Sequence, residues 1–175
     1  MAKKEIIVGV TGGIAAYKAA DLVSKLAQAD VAVTVVMTSA ATKFVGTATF
    51  AALSGRAVIT DSFDAAHPLG PHIEVARRAE LFCVAPATAN FLAQTANGMA
   101  SDLLSTLYLC FQGNVVMAPA MNCEMWAKPS VQRNVKQLVE DGVTMVGPGE
   151  GWLSCREKGA GRMSEVQEIM AACGF

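Results

Sequence analysis

The chain of 175 residues reads as a doubly wound α/β protein, a parallel sheet covered by helices on both faces in a three-layer sandwich of the flavodoxin/Rossmann-like kind. Three observations predict this. Short, β-branched apolar runs alternate with segments of helical periodicity, the pattern of a parallel sheet with crossover helices. The runs are apolar throughout rather than at every second position, as expected of strands buried on both faces. The unusual residues fall just after the runs, where such sheets bind ligands.

Residues 6–10 read as the first buried strand, and Ala15, Ala19, Leu22, Val23 and Leu26 then recur at helical spacing. Residues 31–37, β-branched and nearly all apolar, form the second strand. A helix is expected over 43–53, a short strand over 57–60, a helix over 73–79 and a strand over 81–85. Two helices follow over 88–99 and 102–111, then a strand over 114–118, a helix over 130–141, a strand over 143–146 and a closing helix over 164–172. No repeat, linker or low-complexity stretch interrupts the series, so residues 1–175 are expected to form one domain.

The composition is 53% hydrophobic and 17% charged, with a mean hydropathy of +0.37. That is apolar for a small domain, whose surface is a large share of the whole. No run reaches the roughly 20 apolar residues of a membrane span, and the start shows no signal-peptide pattern. A subunit that buries surface in a homo-oligomer is the expectation. A net charge of −1 gives no reason to expect nucleic acid or an anionic membrane as a partner. The five cysteines are scattered without a CxxC pair, and there are two histidines, His67 and His72. This argues against a disulfide framework and a zinc or histidine-rich centre, and for a reducing, cytoplasmic location.

Gly12-Gly13 leads from the first strand into a helix. The pair fits an anion cradle, with glycine allowing close backbone approach and the helix start offering free N–H groups, and it fits a tight turn equally well. After the second strand, a dinucleotide fold calls for an acidic residue toward the ribose. This chain has Thr38-Ser39 instead. Two hydroxyls suit a phosphate, favouring a mononucleotide such as FMN over NAD, unless one of them is merely a helix cap. His72 opens a helical segment, a position common for a structural histidine, and His67 reads as a loop residue. The stretch 118–126, with Asn122, Met121, Met125 and Trp126 behind Pro119, sets a polar handle in an apolar wall. It suits a substrate pocket or a buried loop.

Seven motifs in order carry a resemblance over nearly the whole chain. They are Thr11-Gly12-Gly13-Ile14-Ala15-Ala16-Tyr17-Lys18; Met37-Thr38 to Phe44; His72-Ile73-Glu74; Ala85-Pro86-Ala87-Thr88-Ala89-Asn90; Gly98-Met99-Ala100-Ser101-Asp102-Leu103-Leu104; Pro119-Ala120-Met121-Asn122-x-x-Met125-Trp126; and Cys155 followed by Gly159-x-Gly161-Arg162-Met163. In these the chain resembles the flavin-dependent cysteine decarboxylases. The resemblance implies FMN as cofactor and, as reaction, decarboxylation of 4'-phosphopantothenoylcysteine on the route to coenzyme A.

It further implies that Gly13, Ile14, Ala15, Thr38 and Ser39 contact the FMN phosphate and ribityl chain, and that Thr88, Ala89, Asn90 and Ala120 line the flavin ring. His72 matches a catalytic histidine beside the flavin, and Asn122, with Met125 beside it, matches the holder of the substrate carboxylate. Residues 147–163 match a mobile clamp bearing Cys155, the acid that completes the reaction. A homotrimer or homododecamer with FMN near a subunit interface is implied as well. For the substrate phosphate, a lysine or arginine of a neighbouring subunit is the expectation, with Arg162 ordering the clamp.

The chemistry explains why such parts are needed. A cysteine carboxylate has no electron sink, and oxidation of its thiol carbon to a thioaldehyde creates one. A neutral amide at Asn122 avoids over-stabilising a carboxylate whose charge leaves during reaction. Two alternatives stand beside this reading: a peptidyl-cysteine decarboxylase, and a non-catalytic flavin-binding regulatory protein. With the chain ending at Phe175 and no second ligase domain following, decarboxylation alone is the expectation.

Overall fold

A computed structural model describes residues 5–175. Five parallel strands form the central sheet: β1 (Glu5–Val10), β2 (Ala32–Met37), β3 (Leu81–Ala87), β4 (Asn114–Pro119) and β5 (Thr144–Met145). Their spatial order is β2-β1-β3-β4-β5. The chain leaves β1 toward one edge to form β2 and crosses back to the other side for β3. The crevice at the carboxyl ends of β1 and β3 is therefore the topological switch point, where open α/β sheets bind ligands.

Strand alternation splits the core in two. Ile6, Val8 and Val10 face one layer, formed by α1 (Ala16–Gln28), α2 (Thr47–Ser54) and α8 (Val166–Ala172). Ile7, Phe82, Val84 and Met117 face the other, formed by α3 (Pro71–Arg78), α4 (Ala89–Ala96), α5 (Leu103–Cys110) and α7 (Pro129–Glu140). In α1 the predicted stripe is the buried one, with Ala16, Ala19, Leu22, Val23 and Leu26 inside. The doubly wound expectation holds.

Three local expectations are corrected. The helix expected over 43–53 is a 3-10 turn, Ala41–Lys43, followed by α2, which starts only after Gly46 in extended conformation. Residues 57–60 make one bridge, Val36 to Ile59, rather than a strand, because this short segment reaches the edge strand β2 at one register position. Residues 147–163, read without secondary structure, form an antiparallel hairpin of β6 (Gly149–Trp152) and β7 (Lys158–Arg162). Four glycines in these two strands hide the strand pattern, since they supply neither β-propensity nor alternation. A one-turn helix, α6 (Cys123–Trp126), also went unpredicted.

Candidate active site

Thr11 ties the switch point together. It is buried at the end of β1; its hydroxyl donates to the Pro86 carbonyl (2.6 Å) and accepts from the Thr88 N–H (3.1 Å). Two strand ends that would otherwise leave buried polar groups open are thereby joined. Thr88 in turn caps α4 by accepting from the Phe91 N–H. At α5, Asp102 and Ser105 form a reciprocal cap.

These loops enclose a cleft of about 480 Å³. Its lining includes Gly13, Thr38, Ser39, Thr88, Ala89, Asn90, Ala120 and Met125, all singled out from the sequence. Thr38 also serves as the cap foreseen as its alternative role, since its hydroxyl accepts from the Ala41 N–H at 3.2 Å. Gly12 is a packing glycine, because a Cβ there would overlap Ala40. Sequence reasoning missed Gln94, which also lines the cleft. Its Nε2 donates to Ser101 (2.6 Å), while its buried Oε1 has no partner among the described residues. No periodic or motif signal marks such a residue, which looks like any polar position on a helix.

A second cleft, of about 350 Å³, shares Gly13, Ala120 and Met121 with the first. Ile14, Ala15, Asn122 and Cys155 line it. Asn122 caps α6, its Oδ1 accepting from the N–H groups of Glu124 (2.8 Å) and Met125 (3.4 Å). That cap fixes which end of the amide is which, and its Nδ2 donates to the Cys155 sulfur at 3.2 Å. Cys155 sits on the tip of the β6–β7 hairpin. The hairpin is docked by the Met121 N–H donating to the Gly161 carbonyl (2.9 Å) and by Gly159 lying against Cys123.

Glu157, on the same tip, takes both thiols on one oxygen, Cys123 at 3.6 Å and Cys155 at 3.8 Å. Partial burial, then that carboxylate, raises the Cys123 thiol above its ordinary value.

His72 is the exception among the predicted residues. It lies at the start of α3 after Pro71 and lines neither cleft, and its buried Nδ1 has no hydrogen bond among the described residues. One copy of the chain does not bring it to Asn122 and Cys155.

The first cleft suits a flavin. An apolar wall of Ala120, Met121 and Met125 offers a face for a ring, Thr38 and Ser39 offer hydroxyls, and the orphaned Gln94 Oε1 offers an acceptor for a ring N–H. Among the described residues no helix is long and apolar enough to cross a membrane.

Residues 1–173 match the Flavoprotein family. The coenzyme A biosynthesis bifunctional protein CoaBC of Mycobacterium tuberculosis is 47% identical over 166 residues, which are 95% of this chain and 40% of that protein. CoaBC of Bacillus subtilis is 45% identical over 168 residues, 95% of this chain and 41% of that one. The chain thus spans about two fifths of the length of these curated relatives. Among solved structures, the FMN-dependent cysteine decarboxylase SpaF is 32% identical, with a TM-score of 0.85 and 98% of each chain covered. A PPC decarboxylase mutant complexed with pantothenoylaminoethenethiol is 26% identical, with a TM-score of 0.91 and 99% of this chain and 97% of that one covered.

Proposed function

The chain belongs to the flavoprotein family, and from that membership and the site geometry we propose that it is an FMN-dependent decarboxylase of 4'-phosphopantothenoylcysteine, acting in coenzyme A biosynthesis. The observation that carries the reading is the meeting of Asn122 and Cys155 at 3.2 Å in a cleft that shares Gly13, Ala120 and Met121 with the first. The names of the CoaBC relatives and the enethiol held by the PPC decarboxylase structure support the substrate.

FMN held by Gly13, Thr38, Ser39, Thr88, Ala89, Asn90 and Ala120 would oxidise the substrate's thiol carbon to a thioaldehyde, the electron sink for CO2 loss, and then reduce the resulting enethiol. The amides of Ile14 and Ala15, which donate to nothing among the described residues, would meet a phosphate at the start of α1. Asn122 Nδ2 is the donor for the substrate carboxylate. It is neutral, so it orients that group without holding its charge back as CO2 departs. Met125 packs beside it, and Cys155, on the hairpin that acts as a clamp, supplies the proton that accompanies reduction.

His72 enters from a partner subunit in this reading, which makes the protein a homotrimer or homododecamer with FMN near the subunit interface. The unpartnered His72 Nδ1 and the apolar composition support that arrangement. Residues 1–175 act as one domain, in the cytoplasm.

The test is anaerobic mixing of the purified holoprotein with 4'-phosphopantothenoylcysteine, following flavin absorbance, CO2 and product mass. The full cycle gives a product about 44 mass units lighter, whereas Cys155→Ser releases CO2 and stops about 46 units lighter, because the flavin keeps two hydrogens. Wild type that neither bleaches nor releases CO2 overturns the reading in favour of a regulatory protein. Turnover of a peptide ending in cysteine, but not of this substrate, transfers it to the peptidyl class.

A further inference from the structure

Lys18 occupies the first turn of α1, which carries no acidic residue. A cation there opposes the positive end of the helix dipole, an unfavourable local choice. Its side chain is nonetheless mostly buried, 16% exposed, and it lines the second cleft. Arg162, on β7, lines the same cleft, and the bare backbone of Gly151 makes room for it; a Cβ at Gly151 would meet the Arg162 side chain at 3.1 Å.

Both cations converge on one carboxylate oxygen, Glu165 Oε1, from Lys18 at 3.5 Å and from Arg162 at 2.6 Å. Two positive charges thus share one negative charge that is itself half exposed, and among the described residues no acidic side chain lines the cleft. The cleft wall carries surplus positive charge. Neither cation lines the first cleft, and both share the second with Asn122 and Cys155 as well as with Ile14 and Ala15, so the anion they await is either the substrate's or the cofactor phosphate at the start of α1.

We propose that Lys18 and Arg162 form a phosphate-monoester subsite that reads the phosphorylated arm of the substrate, within the same chain rather than across a subunit boundary. The proposal rests on the decarboxylase reading for the identity of that substrate. A monoester dianion supplies the charge that the two cations lack, and Arg162 can fork onto two of its oxygens while Lys18 acts as a point charge. Because Arg162 belongs to the hairpin that carries Cys155, occupancy of the subsite holds the hairpin against α1. An unphosphorylated cysteine compound would enter the cleft without that tie.

The test compares Lys18→Gln and Arg162→Gln with wild-type holoprotein on pantothenoylcysteine with and without its 4'-phosphate. The expected result is a drop of about tenfold or more in the ratio of kcat/KM values for each cation removed, read mainly in KM. Lys18→Arg restores most of the ratio, and FMN content stays at the wild-type level. An unchanged ratio, or an equal loss on both substrates, overturns the proposal and leaves Arg162 as a residue that orders the hairpin. Loss of FMN assigns the pair to the cofactor's phosphate and overturns it as well.

Calorimetric binding of 4'-phosphopantetheine against pantetheine separates the two readings. A preference that the variants abolish, in a protein that releases no CO2, sustains the subsite while the decarboxylase reading fails. No preference in wild type overturns the subsite.

Discussion

The Asn122 amide faces the Cys155 sulfur across 3.2 Å because its oxygen is already committed to capping α6. One side chain thus starts a helix and presents an N–H to the second cleft. Asn122→Asp separates these roles. The carboxylate still caps the helix, since Asp is as good a cap as Asn. It cannot donate, and it sets a negative charge against the substrate carboxylate. Thermal stability is expected to stay within about 1 kcal/mol of wild type. Single-turnover CO2 release is expected to fall by about 100-fold or more. A variant that turns over normally would remove Asn122 from the site.

Glu157 holds Cys123 and Cys155 on one oxygen, and the Cys123 thiol lies above its ordinary value of 9.0. A raised thiol value means less thiolate at any given pH, so alkylation of Cys123 should inflect at higher pH than that of a free thiol. Glu157→Gln removes the second-largest cause, and the profile is expected to move down. At pH 8 the rate would rise by at most about threefold for each half-unit the inflection moves. Iodoacetamide labelling across pH, read at the Cys123 peptide by mass spectrometry, gives the profile. An unmoved inflection would mean that burial alone sets the thiol.

Thr11 satisfies both the Pro86 carbonyl and the Thr88 N–H from a buried position. Thr11→Val keeps the shape and strands both partners, which is expected to cost about 2–4 kcal/mol in total. The damage falls at the joint between β1 and β3 that carries the first cleft. FMN should therefore dissociate more readily even where the fold survives, and a flavin-release titration beside thermal unfolding separates the two effects.

The sheet was legible because its strands are apolar on both faces, as β1 and β2 show. The loops after them could be placed for the same reason, since topology alone puts their ligands at the carboxyl ends. Thr38, Thr88 and Asn122 were found because hydroxyls and amides after buried strands are conspicuous. The hairpin of β6 and β7 was not legible as strands. Its pairing is carried by glycines that fit beneath Cys123, Met121 and Arg162, and only the partner surface reveals that role. Gly12 looked available to a ligand and does line the first cleft, but its lack of a Cβ is also required by its packing against Ala40. The orphaned acceptor of Gln94 could be seen only once Ser101 had taken its other end.

Gly161 is where the hairpin meets the sheet, and its geometry admits no side chain. Its φ is +135°, and a Cβ would overlap the Met121 carbonyl oxygen. Its own carbonyl accepts from the Met121 N–H at 2.9 Å. Gly161→Ala therefore strains the backbone and pushes apart the two segments that this hydrogen bond joins. A cost of about 1–3 kcal/mol is expected, which lowers Tm by roughly 2–4 °C per kcal/mol in a chain of this length. The first cleft does not include Gly161, so FMN should remain bound. Substrate KM should rise by about tenfold as the hairpin loses its seat, and the enethiol should accumulate as Cys155 leaves its station near Asn122. A rise in KM without enethiol would show that the hairpin tip can find its place without this joint.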